Sequence, residues 1–159
     1  MAEIERCWHV ASADEMEALG ATFASVISGG GVVFLNGPLG AGKTTWVRGF
    51  LRERGHLGAV KSPTYTLVES YSLPDGTVHH FDLYRLGDPE ELEYMGIRDY
   101  FAEEVLCLVE WPEKGAGSIG EADITLTLSY SDGGRELSVC ASSDKGCGAL
   151  DRIAESGNV

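Results

Sequence analysis

Apolar residues along this 159-residue chain follow two rhythms, and the changes between them mark out strands and helices. Ile4 to Val10 reads as a first strand. Ser12-Ala13-Asp14-Glu15 then fits a capping box, in which Ser12 and Glu15 satisfy each other's free backbone N–H groups. The helix that follows runs to about Ile27, with Met16, Leu19, Phe23, Val26 and Ile27 on one stripe. Ser28-Gly29-Gly30-Gly31 ends it and feeds the short apolar run Val32-Val33-Phe34-Leu35. From Thr44 to Arg54 the spacing of Trp46, Val47, Phe50 and Leu51 predicts a second helix, closed by Gly55 at the C′ position.

The second half is richer in strands. Ser62 to Tyr71 begins extended at Pro63 and continues with β-branched and aromatic residues. Leu73-Pro74-Asp75-Gly76 supplies a turn, and Thr77 to Tyr84 returns from it, so the two segments form an antiparallel hairpin. Asp88-Pro89-Glu90-Glu91 starts a helix with proline at N1, and its apolar positions Leu92, Met95, Ile97 and Phe101 are interrupted by Gly96. Val105 to Val109 is apolar throughout, as a strand buried on both faces would be. Ile124 to Tyr130 and Glu136 to Cys140 alternate across Ser131-Asp132-Gly133-Gly134, giving a second hairpin. Residues 1–141 therefore read as a single domain. From about Ser142 the chain is small, polar and unpatterned, and residues 142–159 are expected to form a flexible tail.

Composition narrows the function. Twenty-five acids against twelve bases give a net charge of −13. An autonomous nucleic-acid binder carries a basic face, so any nucleic acid here is expected to be held by a partner. No apolar run approaches bilayer-spanning length, and the N-terminus lacks a signal-peptide layout, so a cytoplasmic protein without membrane contact is expected. Cys7, Cys107, Cys140 and Cys147 form no C-x-x-C pair and are expected to be reduced thiols. His79 and His80 point to opposite faces of a strand and do not suit a shared metal.

The chemistry begins at Gly37-Pro38-Leu39-Gly40-Ala41-Gly42-Lys43-Thr44-Thr45, which fits the phosphate-binding loop G-x-x-x-x-G-K-[ST] and lies between a strand and a helix. Its glycines let backbone N–H groups curl around an oxyanion, and the helix N-terminus adds partial positive charge. Lys43 is placed to reach the β- and γ-phosphates, and the Thr44 hydroxyl to ligate Mg²⁺. ATP and Mg²⁺ are the cofactors this implies, with Gly37, Gly40, Ala41, Gly42, Lys43, Thr44 and Thr45 as the nucleotide-binding residues. The fold class is α/β, a P-loop NTPase-like three-layer sandwich whose mixed sheet includes antiparallel hairpins.

A nucleotide hydrolase also needs a carboxylate near Mg²⁺, normally at the C-terminal end of a neighbouring strand. Asp82 and Glu110 both end apolar strands. Glu110 follows the more deeply buried one and is the preferred metal-side acid, which leaves Asp82 to orient the attacking water or support the metal. Which acid positions the water stays open. Thr64 or Thr66 is a candidate γ-phosphate sensor, while Arg85 and Arg98 read better as surface residues than as catalytic ones.

At these residues the chain resembles the TsaE family, small ATPases of bacterial tRNA threonylcarbamoyladenosine biosynthesis. The phosphate loop is generic, but Ser62-Pro63-Thr64-Tyr65, His80-Phe81-Asp82-Leu83-Tyr84-Arg85 and Glu110-Trp111-Pro112 in this order are specific, and the likeness spans roughly residues 4–141. The resemblance implies an ATPase partnered by TsaD and TsaB, which transfer a threonylcarbamoyl group onto a tRNA adenosine. It implies contact with tRNA only through those partners. It also implies that Thr44 and Glu110 contact Mg²⁺, that Asp82 is needed for activity, and that Ser62 to Glu69 is a switch-like segment. Ser12 and Arg135 match positions near the nucleotide in relatives, whereas Met16 stands where many relatives have threonine. Two other readings remain. A small-molecule kinase would want an arginine-rich lid, which is missing here; a nucleotide-gated adaptor would bind ATP with negligible hydrolysis.

Overall fold

A computed structural model describes residues 4–102 and 104–156, with side chains through Ile153. Seven strands form one mixed sheet in the order β1-β7-β6-β2-β5-β4-β3. The strands are β1 (Ile4–Val10), β2 (Gly31–Asn36), β3 (Val68–Leu73), β4 (Gly76–Asp82), β5 (Leu106–Glu110), β6 (Ile124–Ser131) and β7 (Gly134–Ala141). The inner strands β6, β2, β5 and β4 run parallel, while β1–β7, β6–β7 and β3–β4 are antiparallel. Both expected hairpins are present. As the continuous apolar run predicts, every residue of β5 is buried.

Five helices, α1 (Ala13–Val26), α2 (Lys43–Glu53), α3 (Glu90–Tyr94), α4 (Ile97–Tyr100) and α5 (Asp144–Ser156), complete the layers. Phe23, Trp46, Phe50 and Leu150 join inward residues of β2, β5, β6 and β7 in a large core on one face of the sheet. Leu92 and Ile97 meet Phe81, Cys107 and Val109 on the other. The Ser12 hydroxyl caps α1 by accepting from the Glu15 N–H at 3.2 Å, but Glu15 Oε1 receives the Ala11 N–H at 3.4 Å instead of that of Ser12. Pro89 stands at the N-cap of α3, one position before the expected N1. Gly96 separates α3 from α4 with a left-handed φ of 75°.

Helices α1 and α2 approach closely because glycines face each other across the contact. A Cβ at Gly20 would lie 2.1 Å from the Trp46 carbonyl oxygen, and one at Gly49 would lie 2.0 Å from that of Glu17. Neither backbone can retreat without opening the core. Alanine at Gly49 gains helix propensity of up to about 1 kcal/mol, yet overpacking outweighs it. Gly49→Ala is expected to destabilise by about 2–3 kcal/mol net, lowering the melting temperature by about 5–10 °C. Thermal unfolding by circular dichroism checks this, and an unchanged midpoint would mean that the helices slide apart freely.

Two segments differ from expectation. Residues 62–67 do not extend into the hairpin strand. Leu67 N–H closes a turn onto the Pro63 carbonyl at 2.8 Å, and Leu67 itself adopts a left-handed φ of 71°. The hydroxyls of Ser62 and Thr64 turn inward to Asp82, and that polar contact overrides β propensity. The second difference is the segment expected to be a flexible tail. Asp144 to Ser156 is a helix whose Ala149, Leu150 and Ile153 are buried. Ser143 starts it by accepting the Gly146 N–H at 3.0 Å, and Arg152 donates to the Val26 carbonyl at 3.0 and 2.6 Å, tying it to the end of α1. Gly146 and Gly148 dilute the helical signal in the sequence. At Gly146 the fold needs glycine, because a Cβ would sit 2.2 Å from the Asp123 carbonyl oxygen.

Candidate functional site

The glycine-rich loop leaves β2 at Asn36 and enters α2 at Lys43. Gly37 (φ 147°) and Gly42 (φ 113°) both use backbone conformations that L side chains avoid. A Cβ at Gly37 would lie 2.7 Å from the Leu128 carbonyl oxygen, and one at Gly42 would lie 3.1 Å from Met16 Cε. The chain therefore curls tightly at both ends of the loop, and the three-turn helix α2 begins where the curl closes. Such a helix start carries unpaired N–H groups and partial positive charge, the chemistry that suits an anion.

Lys43 is 5% exposed. Its Nζ donates to the Gly37 carbonyl and lies 3.9 Å from the centroid of the Trp111 ring. Burial holds its ammonium below the ordinary lysine range, and the negative charges of Glu110, Asp82 and Glu113 work in the opposite direction. Trp111, in a left-handed conformation (φ 58°) just after β5, packs in turn at a tilt against Tyr84, with ring centroids 5.0 Å apart.

The two strand-end acids are neighbours in register. Asp82 of β4 pairs with Glu110 of β5, and Leu35 at the end of β2 pairs with Glu110 from the other side. Glu110 thus stands directly beside the strand that feeds the loop, and Asp82 stands one strand further out. Both are nearly buried, at 3% and 4% exposure. Thr44 Oγ1 donates to Glu110 Oε2 at 3.2 Å, which links the loop's closing residue to the sheet. Asp82 is bound differently. Its Oδ2 accepts from Ser62 Oγ at 2.5 Å and Thr64 Oγ1 at 3.2 Å, and its Oδ1 accepts the Tyr84 N–H at 3.0 Å.

These groups line a cavity of about 380 Å³ that includes Lys43, Thr44, Asp82, Glu110 and Trp111. A second cavity of about 350 Å³ shares Gly40, Gly42 and Thr45 with it and extends to Ser12, Met16 and Arg135. Ala41 belongs to the second cavity and is itself buried. Arg135 leans over the Tyr130 ring at 4.4 Å, with Nη2 3.4 Å from the Gly40 carbonyl. The loop thus divides an acid-lined chamber from one bordered by Met16 and Arg135.

Other candidates fall outside. Arg85 sits 4.6 Å over the ring of the exposed Tyr65, and Arg98 is an exposed residue beside Glu93 at 3.9 Å. Thr66 is not among the chamber's lining residues, and its hydroxyl reaches Glu69 at 3.4 Å. Sequence reasoning missed His80, which is fully buried and places Nε2 2.6 Å from Glu110 Oε2. The signal was available: His80 lies two residues before Asp82 on one strand, so both side chains share a face.

The chemistry of the chamber fits a polyphosphate with a hard divalent cation. Thr44 and Glu110 offer oxygen ligands of the kind Mg²⁺ prefers, usually few in number and completed by substrate phosphates. At Gly37 and Gly42 a side chain would run into Leu128 and Met16, so glycine is what keeps the tight curl whose backbone N–H groups suit a phosphate.

Comparison with known proteins finds likenesses in both sequence and fold. The profile of the family described as "Threonylcarbamoyl adenosine biosynthesis protein TsaE" matches residues 10–137. The tRNA threonylcarbamoyladenosine biosynthesis protein TsaE of Haemophilus influenzae is 56% identical over 115 residues, covering 72% of this chain and 73% of that protein. The protein of the same name from Treponema pallidum is 33% identical over 129 residues, covering 80% and 95%. The crystal structure of Bacillus subtilis YdiB superposes with a TM-score of 0.83 at 25% identity, over 99% of both chains.

Proposed function

The chain belongs to the TsaE family, and we propose that it is a Mg²⁺-dependent ATP hydrolase of tRNA threonylcarbamoyladenosine formation. In this reading it works in the cytoplasm on a complex of TsaD and TsaB, with the tRNA held by those partners. Its ATP cycle drives turnover of the threonylcarbamoyl transferase rather than chemistry on a metabolite of its own. The observation that carries the reading is the hydrogen bond from Thr44 to Glu110, with Asp82 in register beside them and Lys43 in the same chamber.

The backbone of Gly37 and of Gly40 to Thr45 then cradles the phosphates. Lys43 exchanges the Gly37 carbonyl for β- and γ-phosphate oxygens. Thr44 and Glu110 hold Mg²⁺, which when bound neutralises charge building on those oxygens. Asp82 is the acid that orients water against the γ-phosphate. Its grip on Ser62 and Thr64 makes the segment 62–67 sensitive to what Asp82 binds. Tyr65, 83% exposed in that segment, presents the change to a partner. The adenine side of the nucleotide takes the Met16-bordered cavity.

Phosphate release measured with and without the TsaB–TsaD pair tests the proposal. Turnover is expected to rise at least about tenfold with the pair, since lids and partners commonly complete such sites. ATP-dependent labelling of a small metabolite would make it a kinase instead. Absence of turnover under both conditions would leave a nucleotide-gated adaptor.

A further inference from the structure

We infer that His80 is a positioning residue for the metal-side carboxylate: it fixes Glu110 in the orientation that Mg²⁺ binding requires. The inference rests on the reading of Glu110 given above and concerns a residue which that reading leaves without a role.

The geometry is specific. His80 and Asp82 sit on the face of β4 that also carries Val78, and that face is covered by α1 and α2. Leu108 and Glu110 sit on the same face of β5, with His80 paired to Leu108 and Asp82 to Glu110. The imidazole therefore lies one step behind the acids, further from the mouth of the chamber. It is fully buried, and Nε2 approaches Glu110 Oε2 to 2.6 Å. An ionised carboxylate oxygen only accepts, so the proton of this bond lies on Nε2 and the ring donates. Thr44 donates to the same oxygen. Both bonds fall on Oε2 and Oε1 takes neither, so one oxygen is anchored from behind by the sheet and from the side by the loop helix.

Packing alone does not explain a histidine at this place. Nδ1 is buried without a hydrogen-bond partner among the described residues. A buried ring nitrogen left unpaired carries a desolvation penalty that phenylalanine would avoid at similar volume. The feature phenylalanine cannot supply is the Nε2–H aimed at Glu110. Carboxylates that ligate metals are commonly oriented by such outer hydrogen bonds, and loss of one typically weakens metal affinity by about 10–100-fold.

Three substitutions separate hydrogen bonding from packing. His80→Phe keeps the ring and removes the donor. His80→Asn places its amide near the Nδ1 position, one atom short of Glu110. His80→Gln places an amide N–H near the Nε2 position. The measurement is ADP affinity by titration calorimetry, with Mg²⁺ and with EDTA, which needs no turnover. In the wild type, Mg²⁺ is expected to tighten ADP binding. In the Phe and Asn variants that gain should shrink by about tenfold, while affinity in EDTA stays within about twofold. The Gln variant should recover most of the gain. If Phe does not fold, the Asn and Gln pair still decides. The inference is overturned if the gain is unchanged in Phe or Asn, if Gln loses as much as they do, or if affinity in EDTA falls in parallel. A wild type that gains nothing from Mg²⁺ would overturn the metal reading of Glu110 as well, whereas the other failures leave that reading standing.

Discussion

Lys43→Met is expected to weaken ATP binding by about hundredfold or more and to reduce phosphate release to background, without lowering the melting temperature. A hydrogen bond to a charged group contributes about 1.5–3 kcal/mol. An ammonium shared between two phosphates therefore loses about 3–5 kcal/mol when removed, and 1.4 kcal/mol is tenfold in affinity. Methionine keeps the length of the stem against Trp111 but has no donor. Titration calorimetry measures the affinity. Retained binding within about threefold would show that the backbone cradle alone holds the phosphates.

The stability half of this expectation follows from the direction of the Lys43 shift. Burial lowers its ammonium below the ordinary 10.5, and the attraction of Glu110, Asp82 and Glu113 does not offset it. A base whose folded value is lowered binds fewer protons folded than unfolded, so its charge opposes folding. That opposition is fully present below the folded value and fades as pH rises through it toward 10.5. The uncharged variant should hence melt no lower than the wild type at neutral pH, and the gap should close on the alkaline side. Melting curves recorded from pH 7 to 10 check the sign. A gap that widens with pH would mean that the nearby carboxylates, not burial, dominate at Lys43.

Local patterns carried most of the fold. The continuous apolar run ending at Val109, the two hairpin turns and the Ser12 cap are all short-range signals, and each reappears in the structure. What failed locally did so for tertiary reasons. Residues 62–67 have strand-forming side chains, yet Ser62 and Thr64 are drawn to an acid about twenty positions away. The C-terminal helix has only three buried apolar side chains among its described residues and two glycines, one of them required by the Asp123 carbonyl. Its stability comes from docking onto α1 and β7, which no window of sequence displays.

The candidate site was legible unevenly for the same reason. The loop announces itself because its glycines, lysine and threonine are contiguous. The acids were found as strand ends, but nothing local told that Asp82 and Glu110 are register partners, or that β5 lies between β4 and β2. The sequence shows His79 and His80 only as a pair on opposite strand faces that does not suit a shared metal, and what each face meets is not local information. His79 bonds Ser70 at 2.7 Å on one face; His80 meets Glu110 on the other.

Glu110→Gln should cut Mg²⁺-dependent turnover by about hundredfold or more, because a metal's charge stabilisation amounts to several kcal/mol and a neutral amide holds it poorly. Binding of ATP in EDTA should change by no more than about threefold. The choice of glutamine matters. Glu110 Oε2 now accepts from both His80 and Thr44. The buried His80 Nε2–H has no alternative partner among the described residues, so the amide oxygen is expected to turn to it. The Thr44 hydroxyl, which bonds the same oxygen position, keeps donating to that amide oxygen. The fold is kept at a cost of about 1 kcal/mol, whereas alanine would strand the His80 donor at about 1–3 kcal/mol and mix a folding defect into the kinetics. Parallel loss of turnover and of metal-free binding in the glutamine variant would show that Glu110 supports the loop through Thr44 and holds no metal.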